Sequence, residues 1–419
     1  MMRNEAVDHF KLLEPHFDAA RRRTEDLGAA LVLHDTCEIA FDIHDEPARE
    51  HLSRLSANRQ GFYWHASLAI SDGPFRAPFG LVASRPFVHA SELEDDETRA
   101  FWEQIDGVMD NEQRRWMEAV EQSEARLEDV PKIIHVMDRE ADDYLTLFPM
   151  DMSGYSFVIR MTWDRNVCDG PRRCDFRKLS DELDEVAWRD EARTTTLSPR
   201  PKRKATLGHP VRRARMAQLK VRAKQVEIRR PDRIKAAYGP AGLKVNVVEV
   251  LEVDPPADED PVRWLLVTDQ PIEADEQVWR IVDWYRARWV IEEFFKALKT
   301  GAAYTKLQHK RAATLLAALS AKAVVAWHLL VLRHLGRTMG EADPSLVVNA
   351  LQLEVLRALK PKKLGAHPTA ADVMRTIAEL GGHLPQNGPP GWLVLGRGWK
   401  HMREIEKGYR LGFQRGKKM

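Results

Sequence analysis

Cysteine is scarce in this chain, and neither sign of charge is in clear excess. The 419 residues contain three cysteines, an odd and low number that argues against a disulfide framework and for a reducing compartment. Cys168 and Cys174 lie six positions apart, without a second Cys or His pair at the spacing of zinc ligands, so we predict no zinc site. The net charge of +1 does not by itself indicate a polyanionic partner.

Targeting and membrane segments are also hard to find. No signal peptide is visible at the N-terminus. Residues 312–332 form the longest apolar stretch, but it is rich in Ala and contains Lys322 and His328. We therefore expect a buried helix there rather than a membrane span, no membrane partner, and a cytoplasmic location.

The apolar pattern predicts an α/β protein. Helical spacing covers residues 5–28 and 97–127, and strand patterns cover three runs before residue 90, the last two joined by a turn at Asp72-Gly73-Pro74. A fourth apolar run, residues 133–137, precedes Asp138. The chain reads as helical from residue 302 to its end, with Thr369 as a candidate helix cap.

Residues 150–270 interrupt this pattern with alternating runs typical of antiparallel strands. We expect an inserted β-rich subdomain, because more chain lies between Asp138 and Glu292 than one strand–helix unit needs. Between Arg200 and Arg233 there are 13 Lys or Arg and only two acidic residues. Six of these cations are predicted to contact phosphates: Lys202, Arg203, Lys204, Arg212, Arg213 and Arg215. The alternatives are a solvated face or a disordered linker.

Four residues near position 290 share one helix face. Tyr285, Arg288, Glu292 and Lys299 have offsets of 0, 3, 7 and 14, which on an α-helix lie within an arc of about 60°. The simpler interpretation is the solvated face of an amphipathic helix. A functional interpretation is favoured by what precedes them in the chain.

Two apolar strand-like runs each end in an aspartate, at Asp35 and at Asp138. Together with Glu292 these carboxylates are hard oxygen ligands of the kind that suits Mg²⁺ or Mn²⁺. Two such ions can stabilise the attacking and leaving oxygens of a phosphoryl displacement. Each aspartate alone is weak evidence, because an Asp at a strand end is usually turn chemistry.

In combination these motifs resemble a large group of bacterial cut-and-paste insertion-sequence transposases of the DDE class. Asp35-Thr36 is similar to the first motif of the group, residues 138–142 to the second and residues 285–301 to the third. The resemblance covers about residues 5–413. Departures are Cys37, where the group commonly has a hydroxyl residue, and residues 302–304; neither touches a proposed ligand.

The resemblance implies a ribonuclease-H-like catalytic core, in which the first and fourth strands are neighbours and their carboxylates meet. Asp35, Asp138 and Glu292 would be catalytic and would hold two Mg²⁺ (or Mn²⁺) ions. Further DNA contacts would come from Tyr285, Arg288, Lys299, Arg160 and Trp264. Trp264 would stack on a flipped base, its alternative role being core packing, whereas His34 and His135 are expected to be buried or to lie behind the ligands.

The implied activity is strand cleavage at transposon ends through hairpin intermediates, followed by strand transfer into target DNA. DNA and a second copy of the chain are the expected partners, the latter through the C-terminal tail, with a nucleoid-associated cytoplasmic location. The predicted divisions are residues 1–28 (remnant helix of an N-terminal domain), 29–150 (catalytic core, first part), 151–270 (β-rich insertion), 271–335 (core, second part) and 336–419 (helical dimerisation region).

Two alternative functions are kept. Only 34 residues precede Asp35, whereas the transposases that the chain resembles usually carry an end-binding domain there. We therefore expect a shortened chain that binds DNA weakly, cleaves ends poorly alone and could inhibit a full-length partner. The other alternative is a metal-dependent nuclease without strand transfer.

Overall fold

The computed structural model describes residues 8–43, 49–111, 113–168, 175–200, 211–361 and 364–416. Within these residues the chain is a mixed α/β protein, built on one large mixed sheet with helices packed against it. This confirms the predicted α/β class.

Thirteen strands form the sheet in the described part of the chain. They are β1 (Ala30–Asp42), β2 (Ser53–Ser56), β3 (Arg59–Ser71), β4 (Pro78–His89), β5 (Val108–Met109), β6 (Ile133–Met137), β7 (Ser156–Arg160), β8 (Asn166–Cys168), β9 (Phe176–Lys178), β10 (Arg193–Leu197), β11 (Arg215–Arg229), β12 (Gly242–Val253) and β13 (Arg263–Thr268). Their order is β5-β4-β3-β1-β6-β7-β13-β12-β11-β8-β9, with β2 beside β3 and β10 beside β11.

The helices come mainly from the second half of the described residues. They are α1 (His9–Thr24), α2 (Asp96–Gln104), α3 (Arg114–Arg126), α4 (Tyr144–Ser153), α5 (Leu179–Asp184), α6 (Asp275–Ala287), α7 (Trp289–Lys296), α8 (Ala312–Thr338), α9 (Ala350–Leu359), α10 (Ala370–Leu380) and α11 (Trp392–Gly416). A π-helical turn, Ala297–Gly301, follows α7 directly and is called the π-turn below.

At the centre of the sheet β1 lies beside β6, the strand that was predicted fourth from the sequence. β1 pairs antiparallel with β3 along its whole length, and β3 pairs antiparallel with β4. On its other edge β1 pairs in parallel with β6, which pairs in parallel with β7. The predicted neighbourhood of the strand before Asp138 and the strand containing Asp35 is therefore present.

β1 does not end at Asp35, as the sequence pattern predicted. The strand continues for seven more residues to Asp42, because β3 supplies hydrogen-bond partners along the whole segment. The pairing with β6 stops at Leu33, so Asp35 lies where the β6 edge of β1 is no longer occupied by a strand. Asp138 does follow the last residue of β6, as predicted.

The predicted single helix over residues 97–127 is two helices, α2 and α3. The chain turns between them at Asp106, whose φ of 52° no helix interior adopts, and at Gly107, which lies against the Trp102 ring. The short strand β5 follows this turn and pairs in parallel with β4. Charge and apolar spacing alone did not reveal this break.

The β-rich segment continues the central sheet. β13 pairs antiparallel with β7, and β12, β11 and β8 add to it in antiparallel order. β7 itself pairs in parallel with β6, so the sheet runs without interruption from the first strands into the segment between Asp138 and Glu292.

Helix α8 is the apolar stretch that the sequence raised as a membrane question. Among the described residues it is the one helix long and apolar enough to cross a membrane, and 72% of its apolar window is buried inside the protein. Its side chains pack against α1, α10 and the π-turn. This is the environment expected of a core helix in a large protein.

Capping at Thr369 is confirmed. The Thr369 hydroxyl accepts a hydrogen bond from the Asp372 amide, and the Asp372 carboxylate accepts one from the Thr369 amide, which together start α10.

Candidate functional site

Three polar side chains lie level with each other on adjacent parallel strands. The register pairs Leu33 of β1 with Val136 of β6, and Met137 of β6 with Ile159 of β7. Continuing both registers by one or two residues puts Asp35, Asp138 and Arg160 side by side. Because neighbouring strands lie about 4.8 Å apart, this edge of the sheet gathers two carboxylates and a guanidinium that are far apart in sequence.

Successive side chains of β1 point to opposite faces of the sheet. Asp35 and Cys37 point to the face that is covered by α7 and the π-turn, whereas His34 and Thr36 point to the face that is covered by α3. The two faces thus separate a carboxylate site from a buried histidine network.

Arg288 joins the first and third carboxylates. Its Nη1 donates to Asp35 Oδ2 at 3.0 Å and its Nη2 donates to Glu292 Oε1 at 2.5 Å. Arg288 occupies the junction of α6 and α7, one helical turn before Glu292, so both side chains reach the same point of β1. All three side chains are largely shielded from solvent, with 14–25% of their surface exposed.

The charges of this site shift the pKa values of Asp35, Glu292 and Arg288. Burial raises the pKa of Asp35 to about 7, Arg288 opposes this, and the charges of Asp138 and Glu292 raise it further. Burial also raises the pKa of Glu292, again opposed by Arg288 and reinforced by Asp138. Burial lowers the pKa of Arg288, but the surrounding carboxylates outweigh it and raise that pKa overall. The site therefore holds more negative charge than one guanidinium neutralises.

The chemistry of the three carboxylates fits a divalent cation. Asp35, Asp138 and Glu292 offer only carboxylate oxygens, which suit Mg²⁺ or Mn²⁺, and their mutual repulsion is what a bound cation would relieve. Within the described residues no three His, Cys, Asp or Glu side chains are already grouped to hold one metal ion. Arg288 supplies the positive charge between two of the three, so binding a metal there requires Arg288 to move.

Tyr285 and Trp264 lie against each other beside this centre. Their ring centroids are 5.7 Å apart with the planes at 62°, an edge-to-face contact. Tyr285 is buried and also lies near Arg288, whereas Trp264 is half-buried at the start of β13. The two aromatic residues that the resemblance implies as DNA contacts are thus adjacent.

Lys299 reaches the same face of β1 by a different geometry from the one predicted. The α-helix that would place all four residues on one arc ends at Lys296. Lys299 lies in the π-turn, where each residue turns the chain through a smaller angle than in an α-helix. Lys299 nevertheless lies beside Cys37, two residues beyond Asp35. Burial raises the pKa of the Cys37 thiol to about 11, and the nearby Lys299 acts in the opposite direction.

Arg160 lies at the end of β7, opposite Leu266 of β13. It is half-buried, and no hydrogen bond or ion pair engages its side chain within the part of the chain that the structure describes. Its position level with Asp138 makes it available to an anion at this edge of the sheet.

The predicted basic cluster is largely neutralised where it can be seen. Arg213 pairs with Asp258 and Glu259, and Arg215 pairs with Glu252 and Glu259. Arg212 donates to the backbone oxygen of Ser198. Lys202, Arg203 and Lys204 lie outside the described residues. The visible cations of this cluster therefore tie β11 to the acidic end of β12 and the loop after it.

His34 and His135 are buried, as expected, and form a chain of hydrogen bonds behind Asp35. His34 Nε2 lies 2.9 Å from His135 Nδ1, and His135 Nε2 lies 2.8 Å from a Glu124 carboxylate oxygen. The other nitrogen of His34 is 2.8 Å from the Ser67 hydroxyl. Burial lowers the pKa of His34 well below its usual value, so His34 is neutral. This network fixes β1 against β6 at the level of the carboxylates.

Two features of the site escaped sequence reasoning. Arg288 was assigned to phosphate contact, and its bridging of Asp35 and Glu292 was not foreseen, although its spacing of four from Glu292 is that of a helical ion pair. The second feature is a basic groove along α11, whose cations recur every three or four residues and could have been found by the same spacing argument.

No protein-family model matches the chain.

Proposed function

We propose that this chain is a DNA transposase of the DDE class, which cleaves strands at transposon ends through hairpin intermediates and joins them to target DNA. The observation that carries the proposal is the electrostatic link between carboxylates from distant segments: the charges of Asp138 and Glu292 raise the pKa of Asp35, and the charge of Asp138 raises that of Glu292. Such a cluster is costly to bury unless it serves a cation.

The strand arrangement supports a ribonuclease-H-like core. β1, β3 and β4 are antiparallel neighbours, and β6 adds in parallel to the free edge of β1 after an intervening helical segment. In this arrangement the carboxylate on the first strand and the one after the fourth meet at one edge, as Asp35 and Asp138 do here.

Asp35, Asp138 and Glu292 would hold Mg²⁺ or Mn²⁺, which would supply an activated oxygen nucleophile and stabilise the leaving 3′ oxygen. When DNA enters, its phosphates would compete with the carboxylates for Arg288. A guanidinium can bind either kind of oxyanion through two donors. Released from Asp35, Arg288 would hold a phosphate beside the scissile one. Lys299 and Arg160 would contact the flanking backbone as single cations.

The Trp264–Tyr285 pair would accommodate a base displaced during hairpin formation. The indole is half-buried and in contact with Tyr285, so it offers a supported aromatic surface next to the carboxylates. Stacking on such a surface replaces the base stacking that is lost when a nucleotide leaves the duplex. The remaining proposals are a homodimer formed through the helical region of residues 336–419 and a cytoplasmic, nucleoid-associated location.

Metal-dependent cleavage tests the proposal. The full chain is incubated with labelled duplexes that carry the inverted repeats flanking its gene, with Mg²⁺ or Mn²⁺, and products are resolved as nicks, hairpins and joined strands. We expect Asp35→Asn, Asp138→Asn and Glu292→Gln each to abolish cleavage. Glu38→Gln is the matched control, since Glu38 lies on the same strand and points to the other face, where it pairs with Arg59.

A second readout does not depend on activity. Mn²⁺ binding, measured by electron paramagnetic resonance, should be lost in the same three variants and kept in Glu38→Gln. Mn²⁺ binding that persists in all three, or cleavage that persists in any of them, would contradict the proposal. Nicks without hairpins or joined products would favour a metal-dependent nuclease.

One observation favours the second candidate, a DNA-binding chain that cleaves poorly by itself. Arg288 bridges Asp35 and Glu292 in the isolated chain, which disfavours metal binding until Arg288 is drawn away. Binding to these duplexes with no cleavage, and cleavage once a second chain that carries an end-binding domain is added, would identify this behaviour.

A further inference from the structure

A second basic surface lies on the far side of the π-turn from the carboxylates. It is a groove of about 750 Å³ between α11, the middle of α8 and residues 300–306. Seven Lys or Arg side chains line it against two Glu. In a chain whose net charge is only +1, this local excess of positive charge requires an explanation.

The cations form a stripe along one side of α11. Arg397, Lys400, Arg403, Lys407 and Arg410 follow one another at intervals of three or four residues, which keeps them on one side of the helix. The adjoining side carries buried residues that attach α11 to the core, among them Leu395, Trp399 and Met402. A continuous row of cations is thus held on a well-anchored helix.

The acidic residues of the groove account for only part of this charge. Glu406 is buried and accepts from Arg403 and Arg410, and Glu404 lies 3.8 Å from Lys400. The remaining four cations have no carboxylate partner within the described residues; they are Lys306, Lys322, Arg397 and Lys407. A surface kept for internal ion pairing would not leave four of its seven cations without a carboxylate partner.

Lys322 shows that positive charges are crowded inside the groove. Its ammonium donates to the Ala302 carbonyl oxygen at 2.8 Å, which fixes it toward the groove from α8. Burial lowers the pKa of Lys322, and the nearby Lys400 lowers it further. Two ammonium groups that repel each other would both be stabilised by an anion placed between them.

The groove and the carboxylate site share one structural element. Lys299, in the π-turn, faces Cys37 and the site, and the next residues, Thr300 to Ala303, line the groove. α11 is packed directly on this turn, since a Cβ at Gly396 would lie 1.9 Å from the Gly301 carbonyl oxygen. The two basic surfaces therefore have a fixed relative position.

We infer that this groove binds the phosphodiester backbone of duplex DNA that continues past the carboxylate site, independently of base sequence. Duplex DNA carries one charge per about 1.7 Å of its axis, so a row of cations on a rigid helix can contact several phosphates at once. A row of Lys and Arg side chains can contact phosphates whatever the base sequence, so the proposed contact is to the backbone. The inference rests on the proposed function for its choice of DNA as the polyanion.

Salt-dependent DNA binding tests it. Binding of the full chain to a fluorescent duplex of arbitrary sequence is measured by anisotropy from 50 to about 300 mM salt, without divalent metal so that no cleavage is needed. The test variant is Lys306→Gln/Arg397→Gln/Lys407→Gln, which removes three exposed cations that have no ion pair to lose. The slope of log affinity against log salt should fall by about two to three units.

The matched control changes net charge by the same amount away from the groove. Arg22→Gln/Lys235→Gln/Lys244→Gln removes three exposed cations from α1, the loop after β11 and β12. It should leave the slope within about one unit of wild type. Equal slopes in the two triple variants would overturn the inference, because net charge alone would then explain the loss. The single variant Lys407→Gln, with an expected change of about one unit, checks that the triple variant is not merely misfolded.

Other outcomes remain distinguishable. A groove that instead binds a second copy of the chain would change the mass measured by light scattering in the triple variant while the DNA slope stayed as in wild type, which overturns the inference. If wild type fails to cleave but the slope falls in the triple variant, the proposed function fails while the groove stands. If wild type cleaves but the slope is unaltered in the triple variant, the groove inference is overturned while the proposed function stands.

Discussion

At the scale of single residues, the site is governed by one arginine and the carboxylates that it joins. Arg288 lies between Asp35 and Glu292 and compensates two buried charges that otherwise repel each other and Asp138. A guanidinium suits this position because its donors are spread in a plane and can reach two acceptors at once. Lys at the same place could bind only one of them well.

Arg288→Gln should lower the free energy of unfolding by about 3 kcal/mol in the absence of metal, because it leaves buried carboxylates without their counter-ion. Urea unfolding followed by circular dichroism measures the change. Arg286→Gln removes an arginine two positions away that pairs with the exposed Asp283, and should cost less than about 1 kcal/mol. Millimolar Mn²⁺ should restore stability to Arg288→Gln more than to wild type; an equal response in both would contradict the bridging role.

Asp35 should make the metal-free chain less stable as the pH rises. Its pKa is about 7 in the folded chain and about 3.9 in an unfolded one, so between these values the folded state holds a proton that the unfolded state has lost. The contribution of this residue to stability is therefore largest below pH 4, falls through the interval and is constant above 7. Asp35→Asn should flatten this dependence, measured by urea unfolding between pH 5 and pH 8.

Metal binding should follow the opposite trend, because a divalent cation needs the ionised carboxylate. We expect Mn²⁺ affinity to drop by up to about tenfold for each pH unit below 7. Glu38→Gln should reproduce the wild-type dependence in both experiments. A pH-independent Mn²⁺ affinity across this range would show that Asp35 is not a ligand.

At the scale of secondary-structure elements, the attachment of α11 to the π-turn depends on Gly396. A Cβ at Gly396 would lie 1.9 Å from the Gly301 carbonyl oxygen, a contact that only a shift of the helix can relieve. The same helix contains Gly408, at which a Cβ would meet open space. One helix thus offers both a glycine that is required and one that is not.

Gly396→Ala should destabilise the chain by about 1–3 kcal/mol and loosen α11, since overpacking against backbone cannot be absorbed by a side-chain rotation. Gly408→Ala should instead stabilise it by up to about 1 kcal/mol, because alanine favours the helix and meets no neighbour. Thermal unfolding compares the two, and amide hydrogen exchange over residues 392–412 locates the effect. Equal stability changes in both variants would contradict this packing.

At the scale of the whole molecule, one sheet connects the carboxylate strands with the antiparallel segment through a narrow junction. β7 and β13 share three residue pairs, Val158 to Arg160 with Leu266 to Thr268. Side chains reinforce this ladder at its end: Asp269 accepts from the Phe157 amide at 2.7 Å and from the Ser156 hydroxyl at 2.9 Å. The junction holds Arg160 and Trp264 in register with the carboxylates.

Asp269→Ala should weaken this junction by about 1–2 kcal/mol, because the Phe157 amide loses its acceptor. The expected result is a lower and broader urea transition, as the antiparallel segment begins to unfold before the rest. Asp269→Asn keeps one acceptor oxygen, so the midpoint of its urea transition should lie between those of Asp269→Ala and wild type. A transition in Asp269→Ala as sharp as that of wild type would mean that the two parts of the sheet are joined mainly by other contacts.

The sequence determined the features that depend on short stretches of chain. Alternation and apolar runs gave β3, β4, β6 and the strands after residue 190, the cap at Thr369 gave the start of α10, and the spacing of Tyr285, Arg288 and Glu292 gave a shared helix face. These patterns are local, because side-chain period and capping depend on neighbours within one or two turns.

Only the tertiary structure decided the rest. β1 is as long as its pairing with β3, the turn between α2 and α3 brings β5 to β4, and the π-turn that contains Lys299 is packed on α8 and α11. Each of these partners is distant in sequence. The level placement of Asp35 with Asp138 follows from the register between β1 and β6, which a one-residue slip would have reversed. Arg288 binds carboxylates in the isolated chain because folding brings Asp35 within reach, a contact across 253 positions that no local pattern encodes.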